Sequence, residues 1–102
     1  MVESNIFETY DYETITVADS AIGLTAATIA PSNSSNPIKV FMTLETAQIR
    51  FRTDGTDPTS GEGHLLEIGQ SMSIDSFKDL GRFMAIRTGA TSGVLKVSYQ
   101  RR

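Results

Sequence analysis

The chain has no cysteine and no tryptophan, one histidine and only three lysines. Without cysteine there is no disulfide, no thiolate nucleophile and no cysteine-ligated zinc. Basic residues are outnumbered, nine against twelve acidic ones, for a net charge of −3. A nucleic-acid partner is therefore not expected, since such domains carry a basic surface. No apolar run approaches the ~20 residues of a membrane helix, so no membrane partner is expected. The first residues, Met-Val-Glu-Ser-Asn, lack the basic and apolar regions of an export signal. Synthesis in a cytoplasm, without export by the general route, is the expectation.

What is present favours strands. Twelve Thr, eleven Ser and nine Ile stand in 102 residues, and β-branched side chains suit a pleated surface better than a helix. Turn residues recur at short spacing, which favours a sandwich or barrel over alternating strands and helices. The length fits one domain. The expected fold is all-β: a single small antiparallel β-sandwich or jelly-roll-like barrel of seven to eight strands, with at most one helical turn.

Residues 1–11 read as an acidic N-terminal arm carrying Glu3, Glu8 and Asp11, and 12–102 as the sandwich. Tyr12 to Val17 alternates, with Ile15 and Val17 on one face. Ala21 to Ile29 reads as a strand, although its alanines would also suit a helix. Pro31 to Pro37 is a polar surface connector; its Asn33-Ser34-Ser35 sequon has no use in a cytoplasmic product. Ile38 to Leu44 is the clearest strand, with Ile38, Val40, Met42 and Leu44 inward and Phe41 outward. Glu45-Thr46 should turn it into a hairpin with Ala47 to Thr53. Ile68-Gly69-Gln70 is a turn before a strand holding Met72 and Ile74. Ser76 should cap one helical turn that packs Phe77 and Leu80 and ends at Gly81. A final hairpin should join Arg82–Thr88 to Gly93–Gln100, with Leu95, Val97 and Tyr99 inward.

The stretch from Gln48 to Leu66 is the most charged and irregular. Arg50 and Arg52 share one face of a strand, which then breaks into a loop with three glycines and one proline. Ser60, Glu62 and His64 cannot be assembled into a triad from a flexible loop, so a surface or structural histidine is expected. Asp54, Asp57 and Glu62 offer hard oxygens, but their spacing matches no EF-hand and Pro58 interrupts it. Asx turns are the simpler reading. No enzyme, no cofactor, no metal and no catalytic residue is expected. The candidate interaction residues are Arg50, Arg52, Asp54, Asp57, Glu62 and His64 in this stretch. To them are added Phe41 on its outward face, Phe7 and Tyr10 in the leader, and Arg101 and Arg102 at the end.

Two resemblances enter at this stretch. Thr-Asp-Gly-Thr-Asp-Pro-Thr resembles a loop of the β-sandwich domains attached to chitobiase-like glycoside hydrolases, over about seven residues. A longer pattern resembles small structural proteins of tailed-bacteriophage virions. It comprises Ile-Arg-Phe-Arg-Thr-Asp-Gly-Thr-Asp-Pro-Thr, Gly-His-Leu-Leu, a Gly-Gln-Ser turn, Phe-Met-Ala-Ile-Arg-Thr-Gly and a closing Leu-Lys-Val-Ser-Tyr, from about residue 48 to 99. This resemblance implies no enzyme and no cofactor. It implies a virion component: a capsid decoration or cement protein on the major capsid protein, or a head–tail or tail component. A carbohydrate-binding module or adhesin is the alternative from another class, weakened by the missing tryptophan.

A small core and sheet edges in need of cover suggest a homo-oligomer, a trimer by preference. Charge is also segregated. Residues 1–38 hold Glu3, Glu8, Asp11, Glu13 and Asp19 and no Lys or Arg; residues 80–102 hold Arg82, Arg87, Lys96, Arg101 and Arg102 and no Asp or Glu. Either the first and last strands are neighbours in one sheet, or the acidic leader docks on another copy or on the particle. The leader's Ile6, Phe7 and Tyr10 favour docking.

Overall fold

The computed structural model describes residues 7–29 and 38–101. Among the described residues, seven strands form two antiparallel sheets. The first sheet has the order β1-β7-β2-β5, from β1 (Glu8–Val17), β2 (Ile38–Glu45), β5 (Ser71–Ile74) and β7 (Gly93–Arg101). The second has the order β4-β3-β6, from β3 (Ile49–Arg52), β4 (His64–Leu66) and β6 (Met84–Arg87). The molecule is a small all-β sandwich, as its composition suggests.

The core follows period-two patterning. Ile38, Val40, Met42 and Leu44 on β2 and Leu95, Val97 and Tyr99 on β7 are all at most 1 % exposed. Ile15 and Val17 extend this face on β1 and Ile74 on β5, while Ile49, Leu66 and Ala85 oppose them from the second sheet. Each such aliphatic side chain contributes about 1.5–3 kcal/mol by leaving water.

Neither short hairpin expected from the sequence forms. β2 and β3, and likewise β6 and β7, lie in different sheets, so both connections are arches across the sandwich. Thr46 takes a positive φ of 80° in the first arch. The arches meet where the sheets approach closely. A Cβ on Gly93 would stand 2.5 Å from Ile49 Cγ2 and 2.7 Å from the Ala47 carbonyl oxygen, so only glycine fits. Among the described residues, β3 and β4, joined across residues 53–63, are the only consecutive strands that pair with each other.

Three further expectations are corrected. Ala21–Ile29 is not a strand: Ile22 makes one bridge to Ala85, and Ala26–Ile29 forms a four-residue helix, α1. The segment meets the β6 edge only at Ile22, and beyond it Thr28 and Ile29 donate locally to Thr25 O. The second helix, α2 (Phe77–Arg82), is capped by Ser76 and buries Leu80, but leaves Phe77 42 % exposed and runs through Gly81 to a C-cap at the buried Phe83. The acidic arm cannot extend to residue 11, because β1 starts at Glu8 and pairs with β7 from Glu8↔Arg101 to Val17↔Gly93. Of the opposed charges of the two termini, Glu8 and Arg101 lie opposite each other within one sheet. Residues 1–6, the 31–37 connector and Arg102 lie outside the described residues.

Candidate functional site

The long loop is not slack. Arg50 sits on β3 with its side chain turned away from the core, and its Nη1 donates to Gly63 O at 2.8 Å while its Nε donates to Ser60 O at 3.2 Å. Thr59 and Glu62 exchange backbone hydrogen bonds of 2.9 and 3.2 Å, and Pro58 is buried. Gly63 has φ +138°, and a Cβ there would press on Phe51 O, Pro58 and Arg50 at 3.1–3.3 Å. One guanidinium therefore satisfies two carbonyls and fixes the loop against its own strand. The expectation of a loop without a rigid frame is overturned by these contacts.

Arg52 is held by the loop's own carboxylate. Its Nε and Nη2 donate to the two Asp54 oxygens at 3.0 and 2.5 Å. This fork lowers the Asp54 pKa to about 2, helped by the Thr56 amide. Arg52, Asp54, Glu62 and His64 line one cavity of about 270 Å³ with Thr53 and Gly63. The His64 ring packs on Phe51 with centroids 5.3 Å apart. Asp57 is exposed and does not line that cavity. Among the described residues, no three His, Asp or Glu side chains come together to hold a metal.

Phe7, Tyr10 and Arg101 gather at the other end. The Arg101 guanidinium carbon lies 4.8 Å from the Tyr10 ring centroid, and Lys39 Nζ lies 5.8 Å from that of Phe7. Tyr10 donates to Thr28 O at 2.8 Å, tying β1 to α1. Burial raises the Tyr10 pKa, with Arg101 opposing it. These contacts all lie within one chain.

Phe41 belongs to a different surface. Register places Tyr12 of β1 opposite Ser98 of β7, Ser98 opposite Phe41 of β2, and Phe41 opposite Ser73 of β5. One row thus crosses all four strands, alternating aromatic and serine, with Tyr12 56 % and Phe41 40 % exposed. The two rings stand two strand spacings apart, roughly 10 Å. Thr14, Lys96, Thr43 and Ser71 form the next row. No outward-facing residue of this sheet is buried.

The candidate residues of the sequence thus fall on three surfaces: the loop end, the Tyr10 end and the outer face of the larger sheet. Tyr12, Ser98 and Ser73 were missed. Their alternation was visible, but the strand order that aligns them was not. No protein-family model, curated protein or solved structure matches the chain.

Proposed function

We propose that this protein is a structural component of a tailed-bacteriophage virion, seated on the capsid shell as a decoration protein and contacting the major capsid protein. The observation that carries the reading is the outer face of the β1-β7-β2-β5 sheet. It offers two exposed aromatic anchors, Tyr12 and Phe41, on a bed of short Ser and Thr side chains. Rigid aromatic anchors ringed by adaptable hydroxyls suit a protein–protein contact. The pinned loop offers a second, preorganised contact that loses little entropy on docking. The sequence resemblance supplies the particle. In this role the protein does no chemistry and assembles as a homo-oligomer, a trimer by preference.

The test is to mix purified protein with shells lacking it and to image them. Regular density over the whole shell supports decoration. Density at one vertex or along the tail moves the protein to the head–tail or tail position. Absence from purified particles overturns the virion reading.

The same aromatic row favours one reading of another class, a carbohydrate-binding module or adhesin. Two rings about 10 Å apart with hydroxyls between them also suit an extended sugar chain. Saturable glycan-array binding lost in Tyr12→Ala and Phe41→Ala variants would establish it in place of the first.

A further inference from the structure

Three distant pieces of chain line an open cavity of about 440 Å³ beside β6. Asp19 comes from the turn after β1, Pro58, Thr59 and Ser60 from the long loop, and Ile86 to Gly89 from the end of β6 and the turn beyond. Its walls are fixed. Arg87 N donates to Ala18 O at 3.0 Å, and Ile22 and Ala85 exchange two bonds of 2.9 Å. Arg50 holds Ser60 O on the opposite wall.

Arg87 is half-buried, yet its side chain has no hydrogen bond, ion pair or ring contact among the described residues. Arg50, Arg52 and Arg82 all donate to oxygens, and Arg101 lies over Tyr10. A guanidinium drawn partly out of water without acceptors is costly, and its planar fork fits a carboxylate. Asp19 lines the same cavity without pairing with Arg87. One cation and one anion leave the cavity neutral, which favours a monoanion over a phosphate dianion. Thr59 and Ser60 add hydroxyl groups.

We infer that this cavity is a binding site for one carboxylate side chain, Glu or Asp, presented by a partner protein, with Arg87 as its counter-ion and Thr59 and Ser60 as further donors. The site stands on its own geometry; only the identity of the partner, the shell protein, rests on the virion reading.

The test follows the arginine Nε–Hε and backbone amide signals of ¹⁵N-labelled full-length protein by NMR. The probes are N-acetylglutamate methylamide and its glutamine counterpart. Arg87 Nε–Hε and the Thr59 and Ser60 amides should shift saturably with the glutamate probe and not with the glutamine probe. Arg87→Gln should abolish the response. Arg87→Lys, which keeps the charge and loses the fork, should weaken it by about tenfold. Asp19→Asn should tighten it by a few-fold. Equal response to both probes, or a response that survives Arg87→Gln, overturns the site. Should Arg87→Gln not fold, Arg87→Lys and the probe pair on the unaltered chain still decide. Glutamate-probe binding by a protein that joins no phage particle would uphold the site and sink the virion reading.

Discussion

The Tyr99 hydroxyl donates to one oxygen of the Glu13 carboxylate, joining the buried centre of β7 to the edge strand β1. Thr25 donates to the other oxygen at 2.7 Å. One carboxylate thus fastens the segment leading into α1 onto the open end of the sandwich.

This linkage sets an alkaline limit to stability. Burial, reinforced by Glu13, pushes the Tyr99 pKa well above its ordinary 10.0. The unfolded chain loses that proton first as pH rises, so the stabilisation is complete below pH 10 and falls above it, by about 1.4 kcal/mol per pH unit. Tyr99→Phe should flatten this alkaline slope. It should also cost about 1–2 kcal/mol at neutral pH, by leaving Glu13 short of a donor. Urea titrations of both proteins from pH 8 to 11 measure each effect; equal slopes would refute the assignment.

Acid should act on the loop. The Asp54 carboxyl is held at about 2 by the Arg52 fork. A lowered folded-state pKa gives stabilisation that is present above the ordinary carboxylate range and is lost as pH falls toward 2. Asp54 side-chain ¹³C shifts should report a midpoint near 2 in the natural protein. In Arg52→Gln the midpoint should return toward the ordinary 3.8 of an aspartate. An unmoved midpoint would show that Arg52 does not hold it.

Gly93→Ala should be among the most damaging single changes. The added methyl meets a backbone carbonyl, which cannot turn aside, as well as Ile49. Overpacking of this kind costs about 3 kcal/mol. Gly61→Ala, where nothing lies within 4 Å of the new Cβ, should stay within about 0.5 kcal/mol of the parent. The urea midpoints of the two variants give the comparison.

How much of this was legible in the sequence depended on the distance over which each feature is decided. The inward row Ile38, Val40, Met42 and Leu44 is a local period of two, and it appears in the fold unchanged. The Ser76 cap is likewise local. The two arches were not legible, because a short polar connection serves a hairpin and a crossing equally well. Only packing around Gly93 reveals which one forms. The two Arg-bearing strands, Ile49–Arg52 and Met84–Arg87, are paired neighbours with Arg52 opposite Met84, a relationship that neither stretch carries locally. Arg50 and Arg52 were rightly a pair on one face. Yet the partners of Arg50 are carbonyls, which any sequence supplies, so no residue type announced them.

The last prediction concerns the aromatic row. Tyr12 and Phe41 project from the outer face of a sheet whose core lies on its other side. Their truncation opens no cavity. Tyr12→Ser with Phe41→Ser should therefore change stability by no more than about 1 kcal/mol, the scale of cross-strand pair effects. Binding is a different matter, because anchors of this kind each carry about 2 kcal/mol or more of an interface. If the protein decorates a shell as proposed, the double variant should lose at least about a hundredfold in affinity for it while its urea midpoint barely moves. Lys78→Ser, on the exposed surface of α2, is the control and should leave both unchanged. Full occupancy of the double variant on particles, seen by imaging, would move the docking surface to the Arg50-pinned loop. There Arg50→Gln would then be the variant that releases the protein.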